Sequence, residues 1–357
     1  MSAEKKILFA VLDWGLGHAT RSAPVIRALL QRGCTVVLVS SGRAAVWLSG
    51  EFPDLRIIEI PGYCITYHGG VVPAMIRQMF PLFSAIRREH RAFEAVALAE
   101  RPDLIISDNR YGCHASGIPS VYIGHQLNFT VPLVGWMVTF IHRFMIRSFT
   151  EVAVPDTPDR VLSGKLSEIS DRRITFIGPQ SRFISHSASR LPLRWFITAV
   201  VSGPEPDASR FFNRLMPLLK SSGQPCLLVT ADPKIKSAVK DNVVISAQMP
   251  SDELREALLS SRLVVSRSGY SSLMDYAALG VKALIVPTPG QPEQEYLARY
   301  AQAKRCAIYQ RESAINLQKA VEEQEVLSGF PNPDGDGLLQ SAIDRWLHIA
   351  ASWSSLR

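Results

Sequence analysis

Directly after an apolar run, Asp13-Trp14-Gly15-Leu16-Gly17-His18-Ala19-Thr20-Arg21 brings two glycines and a histidine together. Gly15 and Gly17 let a backbone turn tightly and approach a ligand, and a helix that follows presents free amides and the positive end of its dipole. His18 then stands as a titratable imidazole at that place, suited to taking a proton from a hydroxyl. Leu104-Ile105-Ile106-Ser107-Asp108 ends a later apolar run with a carboxylate. If the two runs are neighbouring strands, Asp108 holds one ring nitrogen of His18, fixes the tautomer and raises the basicity of the other nitrogen. The plainer readings are a histidine that packs or caps a helix, and a solvated aspartate at a strand end.

The second half of the chain carries three loops of the same kind. Ser202-Gly203-Pro204 offers a hydroxyl and amides to a phosphate, although Pro204 removes one donor; a Pro-Gly turn is the alternative. The fullest block runs from Val264 to Asp275. Its amides at Ser268, Gly269, Tyr270 and Ser271 make an anion nest at the N-terminus of a helix expected to start near Ser271, and Arg267 adds positive charge. Asp275 follows about one helical turn later, ~5.4 Å along the axis. That offset suits a nucleotide whose diphosphate caps the helix and whose ribose diol meets the carboxylate. Ordinary serine capping with an exposed aspartate is the alternative. Gln294 and Glu295, after Pro287-Thr288-Pro289-Gly290, stand at another helix start, where they can grip sugar hydroxyls or simply complement the dipole. The first loop is not a dinucleotide fingerprint, since the third glycine is missing and Val39-Ser40-Ser41 stands where an acidic residue is needed.

Short apolar runs alternating with helical patterns must position these loops. Ile7–Leu12, Thr35–Val39, Leu55–Ile60, Leu104–Ser107, Val121–Ile123, Glu151–Val154 and Ile174–Ile177 read as strands, with helices such as Ser22–Gln31 and Ile86–Glu100 between them. After a Ser/Arg/His-rich stretch the alternation restarts. Strands are expected at Trp195–Val201, Cys226–Thr230, Val243–Ser246, Arg262–Ser266, Ala283–Val286 and Arg305–Ile308, and helices at Ala208–Lys220, Ser251–Ser260, Ser271–Leu279 and Glu293–Ala303. Runs apolar throughout mark parallel strands covered on both faces. The fold class is therefore α/β, with two Rossmann-like doubly wound domains. We place the first at 1–179, a linker at 180–193, the second at 194–335, and in 336–357 a helix (Leu338–Ala351) that packs across the domain boundary.

The chain of 357 residues, 47% hydrophobic and 20% charged, excludes intrinsic disorder. Its net charge of +7 is spread over both halves, which argues against a nucleic-acid arm and leaves room for anionic small molecules or lipid surfaces. Five widely spaced cysteines without a C-x-x-C pair indicate a reduced, cytoplasmic protein with no zinc site. Only six apolar residues follow Lys5-Lys6, too few for a signal peptide, and no run reaches the roughly 18 apolar residues of a membrane span.

This pattern resembles the GT-B glycosyltransferases, in the branch of the peptidoglycan lipid-intermediate N-acetylglucosaminyltransferase and the UDP-glycosyltransferases. The resemblance covers nearly the whole chain and is most specific in Ser266-Arg267-Ser268-Gly269, Asp275 and Gln294. It implies two domains facing a cleft, with the donor held mainly by the second. By that match Ser268, Gly269 and Tyr270 touch the UDP diphosphate, Asp275 the ribose, and Gln294 and Glu295 the donor sugar. The stretch around Gln248-Met249 supplies backbone contacts to uracil. His18 matches the catalytic histidine, Asp108 its carboxylate partner, and His125-Gln126-Leu127-Asn128 the acceptor-side segment, in which we single out His125 and Asn128. Two departures stand out: the first loop lacks a fuller glycine run, and Glu295 replaces a usual glutamine. The Gly-Leu-Gly-His-x-x-Arg form is also similar to nucleotide-sugar hydrolases of the same fold.

The expected activity is transfer of a sugar from a nucleotide sugar, a UDP-sugar by resemblance, to an acceptor hydroxyl with inversion. The one Asp-x-Asp, Asp334-Gly335-Asp336, stands outside the loops singled out here, and no metal and no cofactor beyond the co-substrate are invoked. A nucleotide-sugar hydrolase and a non-catalytic sugar-nucleotide-binding subunit are the rivals. Pro73–Phe93 and Leu133–Phe149 set bulky apolar residues beside arginines, which fits an anionic membrane surface at the inner face of the cytoplasmic membrane and a lipid-linked acceptor. Amphipathic helices packed on the domain's own sheet, serving a small-molecule acceptor, are the alternative.

Overall fold

Parallel strands need long crossovers, and the alternation in this chain supplies them. The computed structural model describes residues 4–62, 71–130, 133–183, 191–232, 234–247, 249–331 and 335–354. The first unit runs to Gln180 and takes in the C-terminal stretch from Asp334 onward; the second runs from Ser181 to Pro333. Part of the expected linker, 184–190, and Gln248 lie outside the described residues.

In the first unit the order is β1 (Lys6–Val11), α1 (Leu16–Gln31), β2 (Thr35–Ser40), α2 (Gly42–Glu51), β3 (Ile57–Glu59), α3 (Val71–Glu100), β4 (Leu104–Asp108), β5 (Ser120–Ile123), α4 (Gly135–Met145), β6 (Glu151–Val154) and β7 (Ile174–Phe176). The described strands form one parallel sheet in the order β3-β2-β1-β4-β5-β6-β7. Successive side chains of a strand face opposite ways. Ile7, Phe9 and Val11 accordingly pack with Ala19, Ala23, Ile26 and Leu29 of α1, while Leu8 and Ala10 pack with Phe93 and Ala97 of α3. Both sheet faces are thus covered, which is why these strands read as unbroken apolar runs.

The second unit follows the same plan. It comprises β8 (Trp195–Val201), α5 (Asp207–Ser221), β9 (Cys226–Thr230), β10 (Ala238–Lys240), β11 (Val243–Ala247), α6 (Ser251–Leu259), β12 (Ser261–Ser266), α7 (Tyr270–Leu279), β13 (Ala283–Ile285), α8 (Pro292–Ala303), β14 (Ile308–Tyr309) and α9 (Leu317–Glu323). The sheet order is β10-β11-β9-β8-β12-β13-β14, parallel except for the edge strand β10. β10 is absent from the sequence reading because it is a short, largely exposed edge with no apolar run. The last helix, α10 (Gly335–Ser354), belongs to the first unit. Its Leu339, Ile343 and Trp346 join the α1 side of that core, and Trp346 Nε1 donates to the buried carboxylate of Glu151 at 3.0 Å.

In open α/β sheets ligands bind beyond the carboxyl ends of strands where the strand order reverses. That point lies between β1 and β4 in the first sheet and between β8 and β12 in the second. Val11 is paired with Asp108, and Val200 with Ser266, so the loops singled out from sequence leave each sheet side by side.

Candidate functional site

Helix α1 begins at Leu16, one turn and a half earlier than expected, so His18, Arg21 and Ser22 share its first turns. The turn into it is made by Gly15 at φ 78°, ψ 175°, a conformation essentially confined to glycine, and Gly17 sits in the first helical turn. At the opposite wall, Asp108 closes β4 with 1% exposure. His18 Nδ1 lies 2.7 Å from Asp108 Oδ1, the pairing the sequence analysis expects. Arg21, 3% exposed, grips the same carboxylate with two nitrogens, Nε to Oδ2 at 2.7 Å and Nη2 to Oδ1. Ser22 Oγ donates to Oδ2 at 3.0 Å.

The electrostatics follow from this crowding. Burial alone would raise the pKa of Asp108, but Arg21 and then His18 outweigh it and hold the carboxyl well below its usual range. Burial is the main influence on His18 and lowers its pKa; the Arg21 guanidinium lowers it further, against the opposing pull of Asp108. His18 is therefore a neutral imidazole at neutral pH with Nδ1–H turned to Asp108, and Nε2 is left with its lone pair as a base. Arg21 is the functional residue missing from the sequence analysis. Its signal is the i, i+3 spacing from His18, which is visible once the helix starts at Leu16.

Of the acceptor-side pair, His125 joins this cluster, with Nδ1 3.1 Å from Arg21 Nη1. Asn128 does not. Its amide donates to Lys165 O at 3.0 Å and its oxygen faces Thr139 Oγ at 3.4 Å, so it ties the loop to α4.

In the second unit Gly269 is the N-cap of α7, with open space where a Cβ would stand. Ser202 and Gly203 are exposed at the neighbouring strand end, and Gly203 has φ 114°. Tyr270 is buried in the first turn of α7. Ser268 Oγ donates to Gln294 O at 2.8 Å, so this hydroxyl ties the loop before α7 to the first turn of α8. The Gln294 amide is also engaged locally, accepting from Thr288 N at 2.9 Å and donating to Gln291 Oε1 at 2.7 Å. Glu295 is half-exposed with Arg299 at 3.7 Å, and Met249 is half-buried just before α6.

Two expectations change. Arg267 does not present its charge to the loop: it is buried against Glu312 at 2.7 Å, over the Phe211 ring, and donates to Pro287 O at 3.2 Å. A buried guanidinium requires such a partner, and Glu312 comes from a distant part of the chain. Asp275, set against a ribose diol or solvent in the sequence analysis, is buried, accepting from Ser181 Oγ at 2.6 Å with Arg182 at 3.4 Å. Burial raises its pKa against the pull of Arg182. Among the described residues, no group of three or more His, Cys, Asp or Glu side chains is arranged to hold a metal ion.

Two doubly wound domains, each with its loops gathered at a strand-order reversal, define a protein of the GT-B class. Residues 232–329 match the glycosyltransferase family 28 C-terminal domain, and residues 5–128 match glycosyl transferase family 1. The chain is a glycosyltransferase of this architecture. It is 22% identical over 357 aligned residues, 96% of this chain and 93% of the relative, to the UDP-N-acetylglucosamine–N-acetylmuramyl-(pentapeptide) pyrophosphoryl-undecaprenol N-acetylglucosamine transferase of Pasteurella multocida. An uncharacterized glycosyltransferase of Methanopyrus kandleri is 24% identical over 75% of this chain and 81% of its own. Among solved structures, the glycotransferase of kitacinnamycin superposes with a TM-score of 0.66 at 17% identity, covering 98% of this chain and 96% of the other. MurG of Acinetobacter baumannii superposes at 0.56 and 14%, covering 99% of each. At these identities the structural likeness carries the fold.

Proposed function

We propose that this glycosyltransferase is inverting and metal-independent, and that it moves a sugar from a UDP-sugar to an acceptor hydroxyl. The observation that carries the reading is the 2.7 Å contact between His18 Nδ1 and Asp108 Oδ1 at the carboxyl ends of adjacent strands. The acceptor oxygen gives its proton to His18 Nε2 as it attacks the anomeric carbon. The bond to the diphosphate breaks on the far face, so the configuration inverts. Amides at the start of α7, capped by Gly269, take up the charge of the leaving diphosphate without rearranging. A uridine donor is supported by the relatives named for UDP-N-acetylglucosamine. The test is acceptor-dependent UDP release in the presence of a chelator, with the product anomer read by NMR. Retention of configuration overturns the proposal, and full-rate sugar release without acceptor assigns the site to hydrolysis.

Asp275 tests the donor half. In this reading its carboxylate meets the ribose while also accepting from Ser181 Oγ. Asp275→Ala is expected to weaken UDP binding by about 1.5–3 kcal/mol, the worth of charge-assisted hydrogen bonds, and Ser181→Ala to leave UDP affinity near wild type. Calorimetry on both variants decides. Equal affinity in Asp275→Ala removes the residue from the site.

The acceptor in this proposal is lipid-linked, and the enzyme rests on the anionic inner face of the cytoplasmic membrane. Support comes from α4 and the residues beside it. Leu133, Trp136, Phe140 and Phe144 are 92, 76, 69 and 50% exposed. Arg143 and Arg147 are exposed beside them, the latter over the Phe144 ring at 3.9 Å, while His142 on the other face is buried among Tyr111, Tyr122 and Phe129. The companion stretch Pro73–Phe93 contributes less, since Phe93 is core and Leu82, Phe83 and Ile86 are half-buried; its side chains up to residue 80 lie outside the described residues. Among the described residues no helix is long and apolar enough to cross a membrane. Full burial of one large apolar side chain is worth about 1.5–3 kcal/mol. A Trp136→Ser/Phe140→Ser variant is therefore expected to lose at least about tenfold in partitioning to anionic vesicles at low salt. Equal flotation of the variant and wild type would count against this surface.

A further inference from the structure

Asp108 carries more partners than a carboxylate needs to orient one imidazole. Besides His18, both its oxygens are held by Arg21, and Ser22 adds a further bond. Arg21 also reaches across to His125, with Nη1 3.1 Å from Nδ1. The guanidinium and the carboxylate in this chain of contacts each have a fixed hydrogen-bonding sense. A guanidinium only donates, so Nδ1 of His125 is the acceptor and its proton sits on Nε2. A carboxylate only accepts, so Nδ1 of His18 carries the proton and Nε2 holds the lone pair. A single buried Arg–Asp pair thus imposes opposite tautomers on two histidines.

We propose that Arg21 is a positioning residue that keeps His18 a neutral base and sets the Nε2–H tautomer of His125. The proposal rests on the reading of His18 as the general base. The charge argument runs through Asp108. A buried carboxylate paired with a histidine alone draws a proton onto the ring, because an imidazolium is then its only source of compensation. An imidazolium cannot take a proton from a hydroxyl. Arg21 supplies the compensating charge first and leaves His18 neutral. The charged and titratable groups facing His18 are Arg21 on its own helix, Asp108 at the end of β4 and His125 after β5, with burial and Arg21 lowering its pKa and Asp108 raising it.

The test uses two-bond proton–nitrogen correlation spectra of the full-length 15N-labelled chain, assigned with His18→Ala and His125→Ala, alongside pH profiles of kcat/KM. In wild type near neutral pH, the expected tautomers are Nδ1–H for His18 and Nε2–H for His125. Arg21→Met removes the guanidinium. The His18 pKa is expected to rise by about one to two units, and since the base works only when neutral, the acid limb of kcat/KM moves to higher pH by a similar amount. Arg21→Gln, which keeps hydrogen-bonding capacity without charge, is made alongside and gives the same rise if methionine prevents folding. Arg21→Lys restores the charge without the fork. It is expected to bring the acid limb back toward wild type while kcat stays low, because Asp108 is no longer held at two points. A purely structural Arg21 would not move the limb. An unchanged His18 pKa in the neutral variants, or an Nδ1–H tautomer for His125 in wild type, overturns the proposal. These spectra need no turnover, so failure of the base assignment, seen as full activity in His18→Ala, is read separately.

Discussion

Asp108→Asn is expected to reduce kcat by about 10⁴-fold, the scale seen when an orienting aspartate is replaced so that its histidine takes the wrong tautomer. The asparagine amide can present N–H to His18 Nδ1, at the 2.7 Å position the carboxylate now occupies. The ring proton then moves to Nε2, the nitrogen that has to accept. The same substitution leaves the Arg21 guanidinium, 3% exposed, without its anion. Breaking a buried pair in this way costs about 3–5 kcal/mol. Urea unfolding followed in parallel with UDP release therefore shows two losses. A folded Asp108→Asn enzyme with wild-type kcat would remove the carboxylate from the mechanism.

His18→Ala is expected to lose about 10² to 10⁴-fold in kcat, the usual contribution of a general base. UDP binding should persist, because the loops proposed to hold the donor lie in the second unit and His18 in the first. The pH profile gives the sign. The pKa of His18 lies below its ordinary value, chiefly through burial, so the base is mostly neutral at pH ~6.5 and is lost only at lower pH. The acid limb of kcat/KM in wild type is expected below that pH and should be absent from whatever residual rate His18→Ala retains. A wild-type kcat in His18→Ala, measured as acceptor-dependent UDP release, would refute the assignment.

Much of this protein is legible in its sequence. The two α/β units follow from apolar runs such as Leu104–Ser107 and Cys226–Thr230, which are continuous because helices cover both faces of each sheet. The position of His18 is legible for a related reason: a Gly-x-Gly turn after a buried strand leaves little choice about where the next residue stands. Less legible was the start of α1. Gly15-Leu16-Gly17 reads as loop because glycine is a poor helix former, yet the helix begins there, and that shift by itself brings Arg21 into line with His18.

The sequence by itself determined the periodicities, and with them the fold class, the order of the elements and the loops that carry polar side chains. All of these depend on neighbours along the chain. Only the tertiary structure decided which charges are spent within the protein. Arg267 looks like a charge offered to a ligand, but Glu312 neutralises it; Asp275 looks like a carboxylate reserved for a ligand, but it also holds Ser181 and Arg182. Arg21 looks like the last residue of a loop, but it grips Asp108 from within α1. The physical reason is common to the three. The state of an ionisable side chain is set by burial and by partners within a few ångströms, and those partners are brought from remote segments by the packing of β4 on β1 and of α7 within the second unit.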